Sequence, residues 1–434
     1  MSGWREHKRR ALPIVAMCAA GFALTLWVFW PGVQTFDAFY VYKDMGTRSY
    51  GDWQSPVMIV LWSLIDPIAP GTGSLLLLTV ALYWLAFGVV ALTVARRSPA
   101  LAVVLLLLAL SPPAFVFVGI IWRDVLFAIM WLLAAALVFA TAECRRLRIA
   151  MQIVALALLA FGVLLRPNAL AAAPLLAAYI LWPSRFAWKR ATLLYVPAAL
   201  ALFGLVQVVY YGVLGAARQQ PLHSIMVFDL GGISHFAKDN VFPGTWTANQ
   251  TKLITEGCYN PLAWDAYWTQ EPCLFVMEQL ERDKLFASPA LTEAWKSAIL
   301  KYPAAYVRHR TTFMATFLAG AENMTMWSRA LDDPDKIIFA DNPRLMALKA
   351  VHDRLKQTPV FYAGTWLLLD LIVCGFAWRR RETPEGLFAL GICGSAIVYM
   401  MTFYAVGVAT DFRYAYWAVL AGMCGTVAVA TRRT

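Results

Sequence analysis

The sequence predicts an all-α polytopic membrane protein with about 10 transmembrane helices. Three observations lead to this prediction. Of the 434 residues, 60% are hydrophobic and only 15% are charged. The mean hydropathy is +0.60, and apolar runs of about 18 or more residues recur along the chain, as expected of helices that cross a bilayer. The alternation typical of outer-membrane barrel strands does not compete with this pattern.

Apolar stretches suited to spanning a membrane recur from the first to the last part of the chain. They are residues 11–30, 73–95, 100–118, 121–142, 150–165, 169–182, 191–214, 359–377, 386–406 and 412–430. We expect 11–30 to be a retained first helix, not a cleaved signal. Residues 55–69 are apolar but short, and Asp66-Pro67 interrupts them, which favours a re-entrant or interfacial helix.

The distribution of Lys and Arg predicts the orientation. Six segments hold 17 basic residues, whereas the short loops on the other side hold five. The 17 lie in Arg5–Arg10, Arg96-Arg97, Arg145–Arg148, Arg185–Arg190, Arg379–Arg381 and Arg432-Arg433. Both termini are therefore expected on the cytoplasmic side of the membrane, which the family resemblance given below implies to be a bacterial inner membrane. Because topology accounts for the net charge of +11, the basic pI gives no support to nucleic-acid binding.

The chain divides into three parts. Residues 1–214 form an N-terminal transmembrane module whose first outer loop is 31–72, and 359–434 form a C-terminal helical group. Between them, 215–358 hold 15 basic and 15 acidic residues, which predicts a large extracytoplasmic segment. Helices are expected near 276–300 and 303–320, the second of them interfacial. Within the segment, Cys258 and Cys273 either pair in an oxidising compartment or remain free thiols.

Unusual polar residues converge at the predicted outer membrane boundary. They are Asp37, Asp52, Arg123-Asp124, Arg166-Pro167-Asn168 and Asp411-Phe412-Arg413-Tyr414, joined by Arg308-His309-Arg310 if that helix is interfacial. Charged residues at such depth are costly, and they usually line a cavity or pair with one another. The pattern favours one outward-facing site.

Asp37 is a candidate general base or hydroxyl-orienting group, and a helix N-cap is the alternative. Asp52 is either a second acid or a cap for the helix that starts near Ser55-Pro56.

The basic residues of this boundary have two interpretations. The group can clamp a phosphate or diphosphate through charge-assisted hydrogen bonds, or each side chain can extend to lipid headgroups. Its members are Arg166, Arg308, His309, Arg310 and Arg413. Arg123-Asp124 is also readable as an internal ion pair.

Two further features remain open at the level of sequence. Asp370 lies in the middle of a predicted span, where it is either functional or the partner in an interhelical hydrogen bond. The Trp and Tyr residues of 246–268 can stack on a sugar, although most aromatic residues here are expected in interfacial belts. Metal, P-loop, dinucleotide and GxSxG motifs are missing from the sequence, which disfavours a cytoplasmic nucleotide-driven enzyme.

A set of motifs resembles the C-type (GT-C) glycosyltransferases. The run Asp37-x-x-Tyr40, followed by Met45-Gly46, Trp53-Gln54-Ser55-Pro56 and Trp62, is similar to their first outer loop. Later segments resemble bacterial members, including enzymes of the family 39 and 83 types. These segments are Trp122-Arg123-Asp124, Arg166-Pro167-Asn168, Tyr302-Pro303-x-x-Tyr306-x-x-His309 and Asp411-Phe412-Arg413-Tyr414. The chain departs from the pattern at Ala38, where an acid often follows the first Asp, and at Gln54-Ser55-Pro56.

The resemblance implies a polyprenyl-phosphate sugar donor, a glycan or lipid acceptor, and transfer on the extracytoplasmic face. It implies Asp37 as the catalytic base, with Asp52 as a second candidate. The remaining substrate-binding candidates are Tyr40, Trp53, Gln54, Arg123, Asp124, Arg166, Asn168, His309, Arg310, Arg413 and Tyr414. No cofactor is expected apart from an optional divalent cation. The alternatives are a transporter or flippase, or a polymerase or ligase, for polyisoprenoid-linked glycans.

Overall fold

The structure, a computed structural model, describes residues 2–320 and 342–431, with the backbone alone for 2–10 and 145. Residues 321–341 of the predicted outer segment, and the basic pair Arg432-Arg433, lie outside the described part. The N-terminal module is helical throughout. Its α-helices are α1 Ser2–Phe29, α2 Phe36–Thr47, α3 Pro56–Ile65, α4 Thr72–Ala95, α5 Pro99–Ala109, α6 Pro112–Val118, α7 Arg123–Thr141, α8 Arg145–Leu165, α9 Ala173–Leu181 and α10 Trp188–Gln207.

The remaining described residues are helical as well. Their α-helices are α11 Leu222–Ala237, α12 Ala248–Glu256, α13 Phe275–Arg282, α14 Pro289–Lys301, α15 Pro303–Leu318, α16 Pro343–Leu355, α17 Ala363–Arg379, α18 Pro384–Val406 and α19 Tyr416–Ala430. Short helical turns complete several of these elements: Asp66–Ile68, Pro167–Ala171, Val208–Val213, Trp264–Tyr267, Pro359–Phe361 and Phe412–Ala415. The all-α prediction is confirmed for the described residues.

Six helices in the described ranges are long and apolar enough to cross a membrane: Ala11–Phe29, Thr72–Ala95, Arg123–Thr141, Arg146–Leu165, Trp188–Val213 and Pro384–Val406. The predicted span 100–118 is a pair of helices, α5 and α6, bent by 56°. The predicted spans 169–182, 359–377 and 412–430 contain helices of 9, 17 and 15 residues. A multi-pass membrane protein fits these lengths, and the count of ten spans remains a prediction.

The centre of the bundle is formed by α7 and α19. Helix α7 packs against α4 and α8, and α19 packs against α17, α18 and α7. Nearly every side chain of α19 is buried. By contrast, α8 and α10 leave large apolar side chains exposed, including Ile153 and Leu193. An exposed apolar face on a long apolar helix is the surface expected to meet lipid.

The outer segment differs from the sequence prediction in one respect. The predicted helix 276–300 is two helices, α13 and α14, interrupted between Arg282 and Pro289. Proline at the first position explains where α14 begins, because the N–H it lacks would have no partner within the helix there. Between the two helices Lys284 and Ala287 have positive φ, which no helix continues through. The predicted helix 303–320 is present as α15, and Cys258 and Cys273 form a disulfide.

Backbone pairings fix the loops at the end of the bundle where α7 begins. Val33 pairs with Ile120, so the segment leading to α2 lies against the start of α7. Gly51 pairs with Ala217, and Ala263 pairs with Ala409. The third pairing ties the 263–268 turn to the segment after α18, and the Trp53 ring of the first loop lies 6.0 Å from the Trp264 ring of that turn.

Candidate functional site

Asp37 lies in the first turn of α2, one residue beyond the start of the helix. The N-cap position is occupied by Thr35, whose hydroxyl accepts a hydrogen bond from the Trp122 indole at 2.8 Å. The alternative of Asp37 as an N-cap is therefore not the observed geometry. An acid in the first turn still benefits from the helix dipole, and its side chain remains available for other partners.

The partner of Asp37 is Arg413. Its Nη1 atom donates a 2.5 Å hydrogen bond to Oδ2 of Asp37, and the Gln54 amide donates to Oδ1 at 3.4 Å. On its other side Arg413 lies 3.1 Å, from Nε to Oδ2, from Asp411. The Asp37 side chain is 42% exposed and that of Arg413 only 14%. One buried guanidinium thus holds two carboxylates, and the more accessible of them is Asp37.

The pKa values of Asp37 and Asp411 are shifted in opposite directions. Burial alone would raise the pKa of Asp37, but the positive charges of Arg413 and Arg123 outweigh it and lower that pKa below its ordinary value. Burial raises the pKa of Asp411 to about 6, since the attraction of Arg413 is opposed by the charges of Asp37, Asp124 and Asp265. At neutral pH the Asp37 group is a carboxylate ready to accept a hydrogen bond or a proton.

A second ion pair adjoins the first. Arg166 Nε lies 2.9 Å from Oδ1 of Asp124, and both side chains are largely buried. The ring of Tyr414 lies between the pairs, with the guanidinium carbon of Arg166 at 5.0 Å and that of Arg413 at 5.2 Å from its centroid. We call Asp37, Asp124, Arg166, Asp411 and Arg413 the Arg413 cluster.

The cluster opens at a small cleft beside α2 and α3. Its lining includes Asp37, Gln54, Arg123 and Asp124, with a space of about 10 Å³, enough for one water molecule. Arg123 donates from Nη1 to the Trp53 carbonyl at 3.0 Å. The ion pair described for Asp124 is with Arg166 and not with the neighbouring Arg123. The cleft is the accessible face of the cluster in this conformation.

Asp52 has a different environment. Oδ2 accepts from the Tyr211 hydroxyl at 2.8 Å, and Oδ1 accepts from the Gln219 N–H at 2.6 Å. Ser55, not Asp52, caps α3 by accepting from the Met58 N–H. Both oxygens of Asp52 therefore tie the first loop to the segment 211–219. The structure does not place Asp52 in the Arg413 cluster.

His309 and Arg310 are fully buried within the outer segment. Arg310 Nε lies 2.6 Å and His309 Nε2 3.2 Å from Oδ1 of Asp229, and the Trp295 indole donates to Oδ2 at 2.7 Å. Arg310 also donates to the Gly407 carbonyl at 2.7 Å. These contacts hold α15 against α11 and anchor the backbone that leads to Asp411. Neither side chain joins the Arg413 cluster, which differs from the predicted phosphate clamp.

The other predicted residues lie at the margins of the cluster. Tyr40 is exposed and packs edge-on against Phe36 and Phe39. Asn168 follows Arg166 in a short helical turn, and its Oδ1 is buried without a hydrogen-bond partner. Asp370 lies outside the cluster in α17, where its side chain is fully buried.

Two acids of this region have no individual role among the sequence predictions. Asp411 is part of the predicted boundary motif Asp411-Phe412-Arg413-Tyr414, two residues before Arg413. Asp265 lies in the turn that pairs with residues 408–410 through hydrogen bonds from Trp264 N to Val408 O and from Thr410 N to Leu262 O. Burial raises the pKa of Asp265, and the nearby charge of Asp37 adds to this effect.

The same turn carries an aromatic surface. The rings of Trp264 and Trp268 stack with centroids 5.6 Å apart, and Trp53 lies 6.0 Å from Trp264. Trp268 is 37% exposed, whereas Trp264 is buried beneath it. In the sequence, the spacing Trp264-x-x-x-Trp268 within the predicted outer segment is the signal for this aromatic surface. An exposed indole beside carboxylates is a surface suited to a sugar ring.

Comparisons with known proteins give limited similarity. The sequence matches no family model. Protoheme IX farnesyltransferases from two strains of Xylella fastidiosa are 44% identical over 46 residues, which cover 11% of this chain and 15% of each relative. Among solved structures, the archaeal oligosaccharyltransferase AglB from Archaeoglobus fulgidus, in complex with an inhibitory peptide and a dolichol-phosphate, aligns with a TM-score of 0.38 and 12% identity.

That alignment covers 96% of this chain and 50% of the archaeal chain, so this protein spans about half the length of that structure. A match of 46 residues and a TM-score of 0.38 assign no family. Membership of the GT-C superfamily, and of the family 39 and 83 types, therefore remains a prediction from the motifs.

Proposed function

We propose that this protein is an integral membrane glycosyltransferase. It moves a sugar from a polyprenyl-phosphate donor to an extracytoplasmic glycan or lipid acceptor, with inversion. The observation that carries the proposal is the half-exposed carboxylate of Asp37 held by the buried guanidinium of Arg413. A group that accepts a proton and a fixed cation that stabilises an anion are thereby placed side by side, where the apolar helices meet the polar loops.

The donor phosphate is assigned to the arginines of the cluster. Both Arg413 and Arg166 pack against the ring of Tyr414. Their ion pairs with carboxylates hold the two guanidinium groups in position without a ligand. Positive charge that is already oriented stabilises the phosphate as it departs from the sugar, and it needs no rearrangement in the transition state. Arg310, fully buried against Asp229, is assigned a positioning role instead.

Asp37 is the proposed proton acceptor. The acceptor hydroxyl oxygen forms a bond to the anomeric carbon while its proton passes to the Asp37 carboxylate. The bond from the anomeric carbon to the phosphate oxygen breaks, and its electron pair leaves with the phosphate. Inversion follows from this single displacement. Because Arg413 lowers the pKa of Asp37, the carboxylate is available at neutral pH, and proton abstraction contributes roughly 10²–10⁴ in rate.

The sugar itself is expected against Trp268. Its half-exposed indole, supported by Trp264, lies on the turn that also carries Asp265. Carboxylates at the edge of an aromatic face accept hydrogen bonds from sugar hydroxyls while the ring packs on the apolar face of the sugar. Asp52, with both oxygens engaged, is proposed to hold the first loop in place for this surface.

Two observations support an extracytoplasmic site. The Cys258–Cys273 disulfide lies in the same segment as Trp264 and Asp265, and disulfides persist in oxidising compartments. The short loops at this end of the bundle carry five basic residues, against 17 in the segments assigned to the other end. Both agree with termini in the cytoplasm under the positive-inside rule.

The test compares cell-envelope glycans by mass spectrometry in wild-type, deletion, Asp37→Asn and Arg413→Gln strains. Asp44→Asn is the matched control, because Asp44 lies on the same helix outside the cluster. The expected result is that one sugar unit is missing in both the deletion and Asp37→Asn strains and present in Asp44→Asn. If the sugar persists in Asp37→Asn but disappears in Arg413→Gln, a ligase that relies on basic residues is favoured instead.

A further inference from the structure

A second polar cavity lies at the opposite end of the bundle. It has a volume of about 320 Å³ and is lined by Arg148, Gln152, Trp182, Ser184 and Arg185, among others. Arg148 is in the first turns of α8, whereas Arg166 follows the last residue of that helix. A helix of 21 residues spans about 30 Å, so this cavity and the Arg413 cluster lie on opposite sides of the bundle.

The charge of the cavity is positive. Two arginines line it, and none of the described lining residues is acidic. Arg148 donates from Nη1 to the Ala142 carbonyl at 3.0 Å and to the Ser184 hydroxyl at 3.4 Å, which fixes its guanidinium at the wall. A guanidinium has five N–H donors, so these two contacts leave donors for a ligand.

The carbonyl groups at the C-terminal end of α9 are hydrogen-bonded within the protein. Helix α9 ends at Leu181 beside the cavity, and the last carbonyls of a helix carry partial negative charge that repels anions. The Gln152 amide donates to the carbonyls of Ile180 at 2.6 Å and Leu181 at 3.1 Å. The guanidinium groups therefore dominate the electrostatics of the cavity.

Apolar side chains lie directly beside this basic cavity. On the same turns of α8, Leu147 is 51%, Ile149 52% and Ile153 65% exposed. Trp182 lines the cavity itself, and indoles favour the membrane interface. A ligand that fills the cavity with an anionic group therefore extends onto a surface suited to acyl chains. Free phosphate would leave that surface unused.

We propose that this cavity binds the phosphate headgroup of an anionic phospholipid. Arg148 and Arg185 pair with the phosphate, Ser184 supplies a hydroxyl, and the acyl chains lie along the apolar face of α8. Basic pockets between membrane helices commonly recognise lipid headgroups in this way. The proposal does not depend on the reaction assigned to the Arg413 cluster.

The test uses the full-length protein in nanodiscs, with native mass spectrometry to count bound lipids. Phosphatidylglycerol is compared with phosphatidylcholine for the wild type, Arg185→Gln, and the double variant Arg148→Gln/Arg185→Gln. Arg190→Gln is the matched control, since Arg190 lies nearby but outside the cavity lining. The wild type is expected to retain phosphatidylglycerol selectively, with a loss of affinity of about tenfold or more in each cavity variant.

Arg185→Gln guards against misfolding of the double variant, because, of the two arginines, it is Arg148 whose described hydrogen bonds hold the cavity wall. Equal retention of both lipids by the wild type, or undiminished selectivity in Arg185→Gln and the double variant, overturns the proposal. Displacement of the bound lipid by millimolar inorganic phosphate would identify a free-phosphate site and overturn the lipid assignment. An unchanged lipid complex in the presence of phosphate supports it.

Discussion

Nη1 of Arg413 lies 2.5 Å from Oδ2 of Asp37, and the two residues are 376 positions apart in the chain. This contact joins the first loop to the segment between the last two helices. It also sets the chemistry of Asp37, because the positive charge of the guanidinium lowers the pKa of Asp37, whose carboxylate lines the cleft. The function proposed here depends on that pair.

Arg413→Gln is expected to lower transfer by roughly 10²–10³, the usual effect of removing one group that stabilises an oxyanion. Arg413→Lys keeps the charge but loses the planar fork, so it is expected to recover only part of the activity. Both variants are measured in purified transfer assays, with Arg48→Gln as an exposed control. Full activity in Arg413→Gln would remove the arginine from the mechanism.

Asp411 predicts a pH dependence of stability. Its pKa is raised by burial from 3.8 to about 6, so the folded protein retains a proton there that the unfolded chain releases. The contribution of the protonated Asp411 carboxyl to the free energy of unfolding is fully present below about pH 4. It is lost as the pH rises through about 6. Arg413, Asp37, Asp124 and Asp265 are the charged groups that act on it.

Thermal unfolding of wild type and Asp411→Asn between pH 4 and pH 7 measures this effect. The decline between these values is expected in the wild type and absent in the variant. Asp37 contributes with the opposite sign, because its lowered pKa means that its stabilisation disappears only as the pH falls below the ordinary value of 3.8. Parallel curves for the two proteins would contradict the assignment.

Arg310→Gln tests the buried network beneath the loop that carries Asp411. It leaves Asp229 buried without its ion-pair partner, and breaking a buried pair in this way costs about 3–5 kcal/mol. The double variant Asp229→Asn/Arg310→Gln is expected to be less destabilised than Arg310→Gln alone. Lys301→Gln, in an exposed pair with Asp239, is the control and is expected to leave the unfolding midpoint unchanged. Additive losses in the double variant would show that the pair is not coupled.

Trp268→Ala tests the sugar surface. An aromatic contact of this kind contributes about 0.5–1.5 kcal/mol, which corresponds to a rise in KM of roughly two- to twelvefold. The expected change is in KM for one of the two substrates with kcat nearly unchanged, since the indole does not touch the reacting bond. Trp188→Ala, an exposed indole at the start of α10, is the control. A loss of kcat without a change in KM would argue against sugar stacking.

The sequence predicted the elements better than their contacts. Apolar runs locate helices such as α4 and α18, and a threonine cap followed by proline marks the start of α18, because these signals lie within one element. They also indicated that Asp37 and Arg413 would share one end of the bundle. The sequence could not show that Asp52 bonds to Tyr211, or that Arg310 pairs with Asp229, because these partners are 159 and 81 residues away.

Burial separates residues that the sequence grouped together. The arginines at the predicted boundary share a charge type, but Arg310 is fully buried against Asp229, whereas Arg413 contacts the half-exposed Asp37. The sequence places Asp411 in the boundary motif Asp411-Phe412-Arg413-Tyr414 without indicating that its pKa is shifted. Its perturbed titration depends on burial and on charges from three other segments.

The central claim is tested most directly by Asp37→Asn in a purified transfer assay with a polyprenyl-phosphate sugar. Asparagine preserves the size of the side chain and can still contact Arg413, but it cannot accept the proton. The expected result is a kcat lowered by roughly 10²–10⁴ with donor KM little changed, while Asp44→Asn remains fully active. Transfer by Asp37→Asn at the wild-type rate would contradict the assignment of Asp37 as the base.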